Sequence, residues 1–280
     1  MPIRFDHKPG LVVYLTAGDP SLDATREIAI AAIDAGADVI ELGVPFSDPL
    51  GDGPIIQRAS ERALARGTRL RDVLVLAREI RAARPEAGLI VFSYLNPILR
   101  YGLHRFADDA AAAGVDGVLA IDMIVEEARE YLSEMNRVNL APIFLAAPTS
   151  TDARLEAIAK NTKGFVYAIS RVGVTGTQQS VAGDAAALVE RIRRYTRLPV
   201  AVGFGISNAE HVAQVAEFAD AAVIGSAIVA LVERTTRESG AEATPGAVAR
   251  FIRDSLQPSA ISRQPFPAGA KHDTFDKVGD

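Results

Sequence analysis

Cysteine and tryptophan are absent from the 280 residues, lysine occurs five times and histidine four. Without cysteine there is no disulfide scaffold, no thiolate metal site and no cysteine nucleophile, which fits a reducing compartment. His7, His104, His211 and His272 are scattered, with no metal-ligand spacing among them, so no metal is assigned. None of Lys8, Lys160, Lys163, Lys271 and Lys277 falls at the C-terminal end of an expected strand, which disfavours imine-forming chemistry. Apolar runs stay well below the ~20 residues that span a bilayer. Met1 to Gly10 carries Arg4, Asp6 and Lys8 in place of the apolar stretch of a secretory signal, and a cytoplasmic protein is expected. Positive charge is also short. Thirty Lys and Arg against 35 Asp and Glu leave a net charge of −5, with no basic field to draw nucleic acid or an anionic membrane.

What is present is a globular composition, 49% hydrophobic and 23% charged, long enough for one large core. Short β-branched runs at 11–15, 38–42, 89–93, 117–121, 141–145, 164–169, 199–203 and 221–224 alternate with Ala-rich stretches of helical spacing. The helical stretches fall at 23–35, 54–65, 70–83, 103–113, 125–135, 153–160, 182–195, 208–217 and 226–233. Two helix-to-strand turns repeat one form, Asp34-Ala35-Gly36-Ala37-Asp38 and Ala112-Ala113-Gly114-Val115-Asp116, with glycine at the left-handed helix end. Eight βα units in about 230 residues match the size of a (β/α)₈ TIM barrel, for which ~250 is typical. The rival doubly wound sheet predicts an early Gly-rich fingerprint, whereas the Gly-rich turns here come late. The expected α/β organisation is therefore a single barrel domain over 1–256 with extra helices. Within it, 238–246 reads as a polar linker and 247–256 as a short helix. The segment 257–280, with three prolines, is expected to be a flexible tail.

In such a barrel the reactive groups sit at the C-terminal ends of the strands. The second strand ends Val39-Ile40-Glu41-Leu42-Gly43, and alternation aims Glu41 and Val39 the same way, into the barrel. Loss of water raises the pKa of such a carboxyl and suits it to general acid/base work, although a structural glutamate bonded to the backbone reads the same way. The loop Phe46-Ser47-Asp48-Pro49-Leu50-Gly51-Asp52-Gly53-Pro54 follows. Asp52, between glycines, is free to swing over a ligand, while Asp48 and Asp52 also suit turn and N-cap positions. Three backbone-rich turns lie after the last strands: Gly173 to Gly176, Gly203 to Ser207, and Gly225-Ser226. Together they describe a cradle for a phosphate monoester, though each alone fits an ordinary tight turn. Tyr14, Phe92, Tyr94, Leu119, Ile121 and Tyr167 occupy strand positions that serve equally as barrel core or as the wall of a flat apolar substrate pocket.

Four segments, Tyr14 to Pro20, Glu41 through Asp52-Gly53-Pro54, Ser170 to Gly176, and Gly203-Phe204-Gly205-Ile206, resemble the tryptophan synthase alpha subunit family, in order from about Val12 to Glu233. The resemblance implies cleavage of indole-3-glycerol phosphate to indole and glyceraldehyde 3-phosphate in a cofactor-free barrel. It gives Glu41 the acid/base role and Asp52 the indole N–H. Gly176, Gly203, Phe204, Gly205, Gly225 and Ser226 fall to the phosphate, with Tyr167 and Thr175 in support. Tyr14, Phe92, Tyr94, Leu119 and Ile121 line the indole pocket. Asp48 faces a beta subunit in an αββα complex, and any pyridoxal phosphate belongs to that partner. A stand-alone lyase and a non-catalytic phosphate-binding regulatory subunit are the alternatives. The chain departs from the family in three places, one of them the tail beyond Leu256, which has no counterpart there. Met1 to Gly10 stands where a floor-covering helix is usual, and Asp122-Met123-Ile124 stands where Asp, an apolar residue and Pro are common.

Overall fold

The computed structural model describes residues 3–5, 7–169, 181–203 and 205–257. The elements run β1 (Gly10–Thr16), α1 (Leu22–Asp34), β2 (Val39–Gly43), α2 (Pro54–Ala65), α3 (Leu70–Ala83), β3 (Gly88–Ser93), α4 (Leu95–Tyr101), α5 (Leu103–Ala112) and β4 (Gly117–Ala120). They continue through α6 (Arg129–Arg137), β5 (Ala141–Ile143), β6 (Leu145–Ala146), α7 (Asp152–Asn161), β7 (Val166–Ile169), α8 (Val181–Ile192) and β8 (Val200–Gly203). The last are α9 (Ala209–Ala216), β9 (Ala221–Ile224), α10 (Ser226–Ser239) and α11 (Thr244–Ser255). All pairings are parallel, in the order β5-β4-β3-β2-β1-β9-β8-β7-β6. β5 and β6 are pieces of one stretch broken at Phe144, the first pairing with β4 and the second with β7. The sheet thereby closes on itself as the expected (β/α)₈ barrel.

Successive strand residues alternate between two cores. Val12, Val39, Ile90, Leu119, Ile143, Tyr167, Ala201 and Val223 fill the barrel interior. Their neighbours Val13, Ile40, Val91, Val118, Phe144, Ala168, Val202 and Ala222 pack outward under the helices. Ile3 and Phe5, both buried, join the interior core from below β1, with the Phe5 and Phe165 ring centroids 5.8 Å apart. The floor left open by the sequence reading is therefore packed by these two side chains.

At the same end, three aspartates each make a two-point clamp between neighbouring strands. Asp38 gives its N–H to the Leu11 carbonyl and takes the Leu11 N–H on its carboxylate at 2.7 Å. Asp116 does the same with Leu89, at 2.9 Å to the carboxylate, and Asp220 with Val200, also at 2.9 Å. Each carboxylate thus satisfies a donor at the start of a strand that the ladder leaves unpaired. Gly36 and Gly114, with φ of +113° and +79°, end α1 and α5 in the left-handed conformation read from the repeated turn.

Several expected boundaries are corrected. The fifth strand, read as 141–145, is two segments broken at Phe144, because the stretch must serve two neighbours, β4 through its first residues and β7 through its last. α4, which is not among the helical stretches read from the sequence, forms around Asn96-Pro97, since the first turn of a helix needs no partner for the proline nitrogen and the Asp122 carboxylate takes the Leu95 N–H at 2.7 Å. The helix read at 125–135 is a 3₁₀ turn, Val125–Glu127, followed by α6. The linker at 238–246 is mostly structured. α10 runs to Ser239 and stops at Gly240, a 3₁₀ turn follows, and Pro245 lies in the first turn of α11. The expected tail beyond residue 257 lies outside the described residues.

Candidate active site

A cavity of about 660 Å³ opens at the C-terminal ends of the strands, walled by Tyr14, Glu41, Phe92, Ile121, Leu145, Tyr167, Ile169 and Val223 from the barrel. Leu50 to Gly53 with Ile55 and Ile56 come from the second βα unit, and Gly205 to Ser207 and Gly225 to Ala227 with Ala230 from the last two. β2 places Glu41 on the interior face beside Val39, in register with Tyr14 and Ile90 on either side. The carboxyl is completely buried, and neither oxygen has a hydrogen-bond partner among the described residues. Burial alone pushes it up from 4.5 to about 8, so at neutral pH it holds its proton.

Asp52 is 9% exposed and burial raises it to about 6, opposed by a hydrogen bond that the Tyr94 hydroxyl donates at 3.3 Å. The same hydroxyl accepts the Gly51 N–H at 2.8 Å. Gly53, not Asp52, holds the N-cap position of α2. The Asp52 carboxylate is therefore not used as a cap. Gln57, one turn into α2, donates to the Asp52 carbonyl at 2.8 Å and fixes the loop backbone to the helix. Asp48 lies exposed on the outer part of the loop, accepting the Ser47 hydroxyl at 2.5 Å, beside Leu50, which is 95% exposed.

Two tyrosines reach the cavity by leaning over glycines of neighbouring strands. A side chain on Gly43 would place its Cβ 2.2 Å from the Tyr14 hydroxyl, and one on Gly203 would stand 2.4 Å from that of Tyr167. Tyr14 also packs its ring edge-on against Phe92, centroids 5.1 Å apart. Burial pushes the phenols of Tyr14, Tyr94 and Tyr167 up, with Asp52 adding to the first two and Glu41 to the third. All three remain neutral hydrogen-bond donors.

Gly225 precedes the first residue of α10, and with Ser226 and Gly205 it forms the polar end of the cavity at a helix N-terminus, where backbone N–H groups and the helix dipole favour an anion. Gly205 has φ of +93° and open space where a Cβ would stand. Of the residues singled out by sequence, Tyr14, Glu41, Asp52, Phe92, Ile121, Tyr167, Gly205, Gly225 and Ser226 meet at this cavity. Three stand off the wall. Leu119 is buried in the barrel interior, Tyr94 stands behind Asp52, and Gly203 lies under the Tyr167 ring. Thr175, Gly176 and Phe204 lie outside the described residues. The sequence reading missed Ile55, Ile56, Leu145, Ile169, Val223, Ala227 and Ala230. Leu145, Ile169 and Val223 carried a usable signal in their strand parity. Among the described residues no group of three or more acidic or histidine side chains could hold a metal ion, and no helix is long and apolar enough to cross a membrane.

A family model described as tryptophan synthase alpha chain matches residues 3–252. The tryptophan synthase alpha chain of Solibacter usitatus is 50% identical over 240 residues, covering 86% of this chain and 90% of that one. Among solved structures, tryptophan synthase subunit alpha from Legionella pneumophila superposes with a TM-score of 0.82 at 35% identity, over 90% of this chain and 92% of that one. A chain of the tryptophan synthase α2β2 complex from Pyrococcus furiosus gives 0.81 at 37% identity, over 90% and 99%.

Proposed function

Because this chain belongs to the family of tryptophan synthase alpha chains, we propose that it is a carbon–carbon lyase that splits indole-3-glycerol phosphate into indole and glyceraldehyde 3-phosphate. The observation that carries the reading is Glu41, a buried carboxyl without a hydrogen-bond partner among the described residues, facing a cavity that also holds Asp52 and the N-terminus of α10. The phosphate sits at Gly205, Gly225 and Ser226, and the flat ring lies among Tyr14, Phe92 and Ile121. Glu41, protonated at neutral pH, gives its proton to the ring carbon that bears the glycerol chain. The ring nitrogen becomes cationic, and Asp52, accepting its N–H, stabilises that charge in a site shielded from water.

Glu41, now a carboxylate, takes the proton of the adjacent glycerol hydroxyl as the carbon–carbon bond breaks. The bonding pair returns to the ring and restores indole, while the oxygen becomes the aldehyde. One group therefore serves as acid and then as base, which a raised pKa permits. Tyr167 supports the two carboxyls from β7. No cofactor is assigned to this chain; the partner is a beta subunit, and any pyridoxal phosphate is held there.

The test is indole release from indole-3-glycerol phosphate. Glu41→Gln is expected to lower turnover by about 10²–10⁴-fold while calorimetry finds unchanged affinity for a non-cleavable indole alkyl phosphate. Retained turnover in Glu41→Gln removes Glu41 from the reaction. Binding without release by the unaltered chain leaves a phosphate-binding barrel with no catalysis.

A further inference from the structure

The substrate proposed above has two recognised ends, and the elements that recognise them are separate helical units of the barrel. Asp52 stands directly before α2, tied to it by Gln57. The phosphate end is the first turn of α10. Ile55 and Ile56 from the first turn of α2 and Ala227 and Ala230 from the start of α10 are both cavity wall, so the spacing of these helices sets the width of the cavity.

Arg62 spans that spacing. Its Nε and Nη2 donate to the two carboxylate oxygens of Asp19 at 2.9 and 2.7 Å, and its Nη1 donates to Glu233 of α10 at 2.8 Å. Asp19 lies in the loop after β1, the strand that carries Tyr14, and its side chain is only 4% exposed. One planar guanidinium therefore joins three βα units, a task that needs its fixed fork of donors and that a lysine ammonium cannot reproduce. Arg58 reaches Glu233 as well, at 3.2 Å, but is half exposed and makes no hydrogen bond or ion pair to Asp19 among the described residues. Arg62 is not itself on the cavity wall, so whatever it does for the ligand it does through the helices it holds.

We propose that Arg62 is a positioning residue for the reaction, fixing the distance between the carboxylate that meets the ring and the helix end that meets the phosphate. The inference rests on the cavity reading given above and adds the element that calibrates it. A ligand joined across both ends gains from that calibration, whereas a fragment that uses one end does not.

The experiment compares three ligands by calorimetry: indole, glycerol 3-phosphate, and an indole bearing a phosphorylated three-carbon chain. Arg62→Gln and Arg62→Lys are expected to weaken the joined ligand about tenfold or more and each fragment by less than about twofold. kcat for cleavage should fall with the joined affinity, and Arg58→Gln should leave all three affinities near those of the unaltered chain. Glu233→Gln, which removes one of the two anchors and keeps the buried Asp19 pair, is the second variant if the Arg62 variants do not fold. It should show the same selective loss at smaller size. Equal loss for all three ligands alongside a lower melting temperature would reduce Arg62 to a structural ion pair and overturn the proposal, as would no loss for any. Failure of the unaltered chain to bind either fragment overturns the cavity reading itself, and this inference with it.

Discussion

Glu41 is held neutral by its surroundings, and that has a consequence for stability as well as chemistry. Its pKa in the folded chain is about 8, against 4.5 when solvated. The stability it contributes is complete below pH 4.5 and is lost as the pH rises toward 8, because the unfolded chain ionises first. Glu41→Gln, which loses activity, should therefore melt several degrees higher than the parent near neutral pH. The gap should widen from pH 5 to pH 8 and stay level above; thermal scans across that range check it, and a gap independent of pH would contradict the burial argument. Asp52 is the complementary case. Tyr94 donates to its ionised form, so Tyr94→Phe should raise the Asp52 pKa above about 6 and move the acid limb of kcat/KM to higher pH. Among the described residues, the charged and titratable groups facing Asp52 are Tyr14, Tyr94, Tyr167 and Glu41. The direction of Glu41 could be read in the sequence, since alternation along five strand residues determines it. The bond from Tyr94 to Asp52 could not, because it joins two loops 42 residues apart whose approach only the closed barrel decides.

At the scale of elements, strands and helices with strong periodicity were legible, and so were the glycine ends of α1 and α5. Elements formed by long-range partners were not. α4 depends on an aspartate from the loop after β4, and the break at Phe144 follows from two neighbours competing for one strand. Of the aspartate clamps, those at Asp38 and Asp116 close the repeated Gly-x-Asp turn, whereas Asp220, in Phe218-Ala219-Asp220, makes the same clamp without the glycine. Asp116 combines the clamp on Leu89 with an ion pair to Arg81 at 2.5 Å, its own side chain 4% exposed. Asp116→Ala leaves a buried N–H and a guanidinium without this partner, and should cost about 3 kcal/mol. Denaturant unfolding measures that loss. kcat per folded chain should be unchanged, since the clamp lies at the opposite end of β3 and β4 from the cavity.

For the molecule as a whole, the carboxylate loop has one side in the cavity and one in solvent, with Asp52 inward, Asp48 outward and the exposed Leu50 at the rim between them. A beta chain docking on the outer side would act on the inner one through nine residues of backbone at most. Indole release is accordingly expected to rise when a beta subunit from the same source is added, and Asp48→Ala should blunt that rise while leaving the rate of the isolated chain in place. Stopped-flow or coupled indole assays decide it, and fast release indifferent to the beta chain would mark a stand-alone lyase. The cavity itself carries a lesson about descent. Tyr14 over Gly43 and Tyr167 over Gly203 make its volume a property of pairs, not of single positions. A larger residue at either glycine meets a hydroxyl at once, whereas a shortened tyrosine opens room that the glycine position can later fill. Mutational paths from this pocket to one for a different ring are therefore ordered, with the tyrosine changing before its glycine, and lineages that reshaped the pocket should carry the two changes together or the tyrosine change alone.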